Sequence, residues 1–203
     1  MELVDKSGIL QRLNQLSLVE IELGCGNTKK NPKAIGIDML DFDCVDIQGD
    51  VFAALHRFPD NTVDTIESFH FFEHVGDLTD LIDEITRVLK PGGKLRVVVP
   101  HFSNPYFYSD PTHKNFFGLY TFCYYASSSI FSRKVPLYGR IPQLDLNHVQ
   151  LTFKSSPPFY IRHAFKKMVE RVVNLTTYTK EVYEDNLCNI IPCYELEYRI
   201  SKR

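Results

Sequence analysis

Residues 20–28 read Glu-Ile-Glu-Leu-Gly-Cys-Gly-Asn-Thr, and the fold is decided there. The run from Leu18 to Leu23 is strand-like and stops on Gly24-Cys25-Gly26. A strand that ends on glycines lets a ligand come close to the backbone, because no Cβ stands in the way. The turn alone does not name the ligand. Thr28 stands where a dinucleotide fingerprint carries its third glycine.

Working outward, Ala34-Ile35-Gly36-Ile37-Asp38 reads as a second strand. Only residues 27–33 separate it from the turn, whereas parallel crossovers usually take a dozen residues or more. Any helix in that connection must be abbreviated. Further strands are expected over residues 44–47, 62–69 and 94–100. Between the last two, residues 77–89 carry a capping Asp77 and an apolar face of Leu78, Leu81, Ile82, Ile85, Val88 and Leu89, and stop at Lys90-Pro91-Gly92-Gly93. Upstream, Val4, Ile9, Leu10, Leu13 and Leu16 have helical spacing. Downstream, residues 134–153 hold strand material, residues 161–173 read as a basic amphipathic helix, residues 181–190 as a short helix and residues 193–201 as a last strand. The basic helix, with Arg162, His163, Lys166, Lys167 and Arg171, is read as a solvated face.

Strands alternating with helices predict an α/β, Rossmann-like fold with a mostly parallel, seven-stranded sheet flanked by helices. Ligands of such sheets bind outside the carboxyl ends of the strands. Gly24, Gly26, Asp38, the Gly49-Asp50 turn, residues 69–74 and His101 would share that edge. A carboxylate at Asp38 can accept both hydroxyls of a ribose. Asp50 can accept from an adenine amino group, or cap a helix starting at Val51. After the fifth strand comes an aromatic-rich insertion: residues 101–131 hold eleven of the 26 Phe and Tyr residues. With no linker in sight, residues 1–203 are read as one domain. Residues 1–100 form its cofactor-binding core, and residues 101–203 its acceptor-side cap and C-terminal strands.

The succession IELGCGNTKKNPKAIGID, GDVF, DTIESFHFFEHV, EITRVLKPGGKLRVVVP resembles the class I S-adenosylmethionine-dependent methyltransferases of the type 11 kind. The resemblance covers residues 19–101, and the His101-Phe102 … Asp110-Pro111-Thr112-His113 stretch is similar to one branch of that family. It implies S-adenosylmethionine as cofactor and methyl transfer as reaction. By position it implies that Glu22, Gly24 and Gly26, with Cys25 between them, shape the loop around the methionine moiety. Asp38, followed by Met39, would hold the ribose. Asp50 with the backbone of Val51 would read the adenine. Ser68, Phe69 and His70 would line the methionine side through backbone groups.

Methyl transfer from a sulfonium depends on placing the acceptor in line with the S–C bond, and an oxygen acceptor also needs a base. His101, Asp110 and His113 are the expected catalytic set, because His101 follows the fifth strand and the Asp110-Pro111 turn can fold back over the same opening. His70-Phe71-Phe72-Glu73-His74 also matches H-x-x-E-H, a zinc-peptidase pattern, but that pattern belongs within a helix. The motif here follows a strand, so no metal is expected. A dehydrogenase is disfavoured because Asp38 follows Gly26 too closely. A catalytically silent cofactor-binding subunit is the alternative from another class.

Composition sets the outer bounds. The chain has 203 residues, 44% of them apolar and 24% charged, with a net charge of −2. That charge gives no general attraction to nucleic acid or anionic membranes. The N-terminus shows no signal-peptide pattern, no apolar run approaches a membrane span, and the five cysteines have no scaffold spacing. The expectation is a cytoplasmic enzyme acting on a small-molecule acceptor, with no nucleic acid and no membrane as partner.

Overall fold

The computed structural model describes residues 3–203. Six of the seven expected strands form near their expected places, β2 (Glu20–Leu23), β3 (Ile35–Asp38), β5 (Val63–Phe69), β6 (Leu89–Pro100), β8 (Leu144–Thr152) and β9 (Glu195–Lys202), while the strand expected over 44–47 is reduced to β4 (Ile47–Gln48). Two short strands, β1 (Val4–Asp5) and β7 (Ala126–Ser128), extend the edges, so the sheet has nine strands rather than seven. The order is β1-β4-β3-β2-β5-β6-β9-β8-β7. The run β4-β3-β2-β5-β6 is parallel, and β9 inserts antiparallel between β6 and β8. The order reverses between β2 and β5, the place where such sheets open a crevice.

The inner strands bury an apolar face, and the alternate positions of β2 carry Glu20 and Glu22. Ile21 and Leu23 of β2, and Val97 and Val99 of β6, are fully covered. Helix α2 (Leu78–Val88) covers one face with Leu81, Ile82, Ile85 and Val88, and Asp77 caps it by accepting from the Asp80 amide at 3.0 Å. Asp50 similarly accepts from the Ala53 amide at 3.1 Å and starts the short helix α1 (Val51–Leu55).

The short connection from β2 to β3 contains no helix. Instead, the buried Glu22 carboxylate accepts from the Lys30 amide at 3.0 and 2.8 Å and from the Asn31 amide at 3.1 Å. One side chain thus does what a crossover helix would do, satisfying loop amides that would otherwise be orphaned.

The N-terminal segment departs from its helical spacing. Val4 and Asp5 pair antiparallel with Gln48 and Ile47, and two 3₁₀ turns follow at Ile9–Gln11 and Leu13–Gln15. Asp5 accepts from the Ile9 and Leu10 amides, both at 2.9 Å, and Gly8 takes φ 63°. A capping carboxylate and a left-handed glycine break the run before a helix can propagate.

In the last third, α3 (Tyr160–Val173) matches expectation, whereas α4 (Thr177–Asn186) starts earlier than residue 181 because Thr176 and Thr179 form a reciprocal capping box. The aromatic insertion is partly core. Phe107, Phe117, Phe122 and Phe131 are buried, and the Phe122 ring lies 4.6 Å from that of Tyr198 on β9.

Candidate functional site

A cavity of about 420 Å³ opens at the carboxyl ends of β2, β3, β4 and β5. One wall is made by Gly24, Asp38, Met39, Gly49, Asp50, Val51 and Phe52, the other by His70, Phe71, His74, Val75, Gly76 and Lys114. Its size suits a nucleoside-sized ligand. A larger depression of about 700 Å³, lined by Asp60, Asn61, Arg87 and Lys202 among others, lies at the opposite end, where β5 and β6 begin. It is more open and sits at the end of the sheet where such folds do not bind cofactors.

Gly24 and Gly26 both take left-handed φ, at 64° and 58°. A Cβ on Gly24 would stand 2.6 Å from three atoms of Phe71, so the turn and the wall fit only because the side chain is missing. Around Gly26 the equivalent space is open. Asp38 ends β3 with its carboxylate fixed, Oδ2 accepting from the Gly26 amide at 2.8 Å and Oδ1 from the Leu40 amide at 2.9 Å. Each oxygen keeps a further lone pair for a ligand hydroxyl. Asp50 uses Oδ1 for its helix cap. The cavity, the paired carboxylates and the glycine turn fit a nucleoside cofactor.

Of the residues expected to hold the cofactor, Gly24, Asp38, Met39, Asp50, Val51 and His70 line the cavity. The others stand behind its wall. Glu22 is beneath the loop it ties. Ser68 is fully buried and donates to the Leu23 carbonyl at 3.2 Å. Phe69 lies under the Arg96 guanidinium. Cys25 turns into the core beside Gly36, where burial and then Asp38 push its thiol up to about 12. The sequence reading put the Gly49-Asp50 turn and residues 69–74 at this edge, but missed Phe52, Val75, Gly76 and Lys114 as wall residues. Phe52 adjoins Val51, a residue already singled out, and that adjacency was the available signal.

His70 sits at φ 55°, its amide donating to the Val98 carbonyl at 2.8 Å. Its ring lies between two carboxylates, Nε2 at 3.3 Å from Glu195 and Nδ1 at 3.5 Å from Glu73. The pairing with Glu195, then that with Glu73, raises its pKa to about 9 against the effect of burial. His70 is therefore a cation at neutral pH and a donor, not a base.

His101 is not at the opening. It is fully buried, with Nδ1 2.7 Å from Ser103 Oγ and Nε2 3.1 Å from Glu184 Oε2, stacked on Phe102. The chain after β6 folds back over it and α4 brings in Glu184, so position in the sequence alone misplaced it. Asp110 and His113 do come together, with Oδ2 and Nε2 3.6 Å apart, and His113 packs 4.8 Å from the His74 ring on the cavity wall. The insertion is docked there by backbone: the Lys114 and Asn115 amides donate to the Glu73 carbonyl at 2.7 and 3.2 Å.

Residues 13–97 match the family model described as a methyltransferase domain. Among curated proteins no sequence match was found. Solved structures share the fold. A S-adenosylmethionine-dependent methyltransferase from Archaeoglobus fulgidus is 17% identical, with 98% of this chain and 94% of that one covered at a TM-score of 0.56. A putative methyltransferase from Bacillus halodurans is 15% identical, with 95% and 97% covered at 0.55. Phosphoethanolamine N-methyltransferase 2 of Haemonchus contortus, in complex with S-adenosyl-L-methionine, is 14% identical at 0.53, with 97% of this chain covering 51% of that one. At these identities the likeness is one of fold. Together with the methyltransferase domain matched over residues 13–97, it supports a S-adenosylmethionine-dependent methyltransferase with S-adenosyl-L-methionine as cofactor. Among the described residues no helix is long and apolar enough to cross a membrane.

Proposed function

We propose that this enzyme transfers the methyl group to an oxygen or nitrogen of a small molecule that enters over the rim formed by His70, His74, Lys114 and the Asp110–His113 turn. In this reading Asp38 holds the ribose hydroxyls, and Asp50 with the Val51 backbone takes the adenine. The Gly24–Gly26 turn and the end of β5 flank the methionine part. The observation that carries it is the continuity of the cofactor cavity with a rim of imidazoles and carboxylates: His70, His74 and Lys114 line the cavity, and His74 touches His113. An oxygen acceptor must lose its proton as the methyl arrives, and the imidazoles of His74 and His113 are the rim groups of a type that can take it. Holding acceptor and sulfonium in line supplies much of the remaining acceleration.

The test uses labelled S-adenosylmethionine with panels of small hydroxyl and amine acceptors, beside protein and nucleic-acid substrates. Methylation confined to a small molecule, with turnover lowered about a hundredfold in His113→Ala at unchanged cofactor affinity, is the expected outcome. Label entering only protein or nucleic acid would overturn the reading.

A further inference from the structure

We propose that Glu73, His74 and His113 bind a divalent transition-metal ion of the zinc class at the rim of the cofactor cavity. This goes against the metal-free reading of the H-x-x-E-H motif, and the structure gives the reason. The motif is shared out: the His70 ring bridges Glu195 and Glu73 Oε1, while Glu73 and His74 also meet a histidine from the aromatic insertion. One ligand atom from each of Glu73, His74 and His113 lies within 4.8 Å of the other two.

Three observations argue for a cation among these groups. First, Glu73 is 1% exposed, and its Oε2 is buried with no hydrogen-bond partner among the described residues. A buried carboxylate oxygen without a donor is costly, and buried charges are normally paired or on a metal.

Second, the hydrogen bonds set both imidazole tautomers. His113 Nδ1 is 2.9 Å from the Phe107 carbonyl, which can only accept, so in the neutral ring Nδ1 carries the proton and Nε2 the lone pair. Thr112 Oγ1 donates to Asp110 Oδ1 at 2.6 Å, so at 2.9 Å it accepts from His74 Nδ1. His74 Nε2 is likewise left with a lone pair. A ring nitrogen held by a carbonyl or a carboxylate-linked partner, with the other nitrogen free, is the usual support of a metal-bound histidine.

Third, Asp110 Oδ2 faces His113 Nε2 at 3.6 Å, which places a second carboxylate beside the set. Two imidazoles and a carboxylate form a donor set for zinc with positions left open. Tetrahedral ligands on bonds of about 2.1 Å lie roughly 3.4 Å apart, so the three groups would draw in by up to about an ångström on binding.

Since His74 is part of the cavity wall, the ion would stand where the acceptor enters. Its open position could take a hydroxyl or water oxygen and lower the pKa of that group. Binding of the ion does not rest on the acceptor reading and is measured on the protein alone.

The experiment uses the full chain without a histidine tag, dialysed against a chelator and titrated with Zn²⁺ by calorimetry and with Co²⁺ by visible absorption. The expected result is one ion per chain and a Co²⁺ spectrum of low-coordinate N/O ligation. Binding should weaken about a hundredfold or more in Glu73→Gln and His113→Ala, and about tenfold in Asp110→Asn. Thermal melts in chelator identify any variant that fails to fold; His113 lies at the partly exposed rim and serves if Glu73→Gln unfolds. Absence of a stoichiometric ion in the wild type, or equal binding in both ligand variants, would overturn the proposal. No bound ion in a protein that still methylates a small molecule removes the metal and leaves the acceptor reading standing. A bound ion with no small molecule methylated does the reverse.

Discussion

Replacing Asp38 by Ala separates the two tasks of its carboxylate. In the free protein the carboxylate ties the Gly26 and Leu40 amides. Leu40 is 59% exposed and the space around Gly26 is open, so water can replace both bonds and the melting temperature should fall little. The ligand loses more. Two ribose hydroxyls entering a partly dry cavity would meet no acceptor, and hydrogen bonds to a charged group contribute roughly 1.5–3 kcal/mol. That corresponds to a dissociation constant weakened about 10- to 150-fold. Calorimetric titration with S-adenosylhomocysteine measures it, and NAD titrated alongside should give no comparable heat. Asp38→Asn keeps one acceptor, loses the charge and turns a donor toward one of the two amides, so it should fall in between. An Asp38→Ala protein that melts like wild type and binds within about twofold of it would refute the ribose assignment, since one lost charged bond already exceeds that.

Gly24→Ala and Gly26→Ala share a left-handed φ, which costs a non-glycine residue roughly 1–2 kcal/mol. Only Gly24→Ala also drives a Cβ into Phe71, so it should lose cofactor binding while Gly26→Ala is milder; equal effects in paired titrations would contradict the packing argument. Cys25, buried and raised to about 12, should resist alkylation at pH 8 while the half-buried Cys44 is labelled first, as peptide mass spectrometry would read. Burial alone would raise Asp64, but the Lys90 ammonium and the Val19 amide outweigh it and hold the carboxyl below its ordinary 3.8. A folded value below the unfolded one gives stability that is present above about pH 4 and is lost as pH falls through the folded value. Asp64→Asn should therefore flatten the acid limb of a melting-temperature profile, and a profile parallel to wild type would count against it.

Most of the parallel core was legible because its longer strands carry their own patterns, and several of the residues proposed to hold the cofactor directly follow a strand. Asp38 ends β3 and Asp50 follows β4, so naming the strand nearly places the residue. Strands β1 and β7, of two and three residues, are too short to show any period and are formed by their neighbours. His101 also directly follows a strand, yet its surroundings come from Glu184, 83 residues further on, and no local pattern encodes which element covers a loop. The rim is of the same kind. H-x-x-E-H spacing suggests that its three polar residues work together, but after the turn that ends β5 the His70 ring reaches Glu195 on β9 as well as Glu73, while His74 meets residues of the insertion. What docks that insertion is the Lys114 and Asn115 amides on the Glu73 carbonyl, together with the Asn115 side-chain amide on the Phe72 and Val75 carbonyls. Backbone-directed bonds of this sort depend little on side-chain type. The cavity wall that follows the strands is therefore partly readable from the sequence, and the rim only once the loops are closed in space.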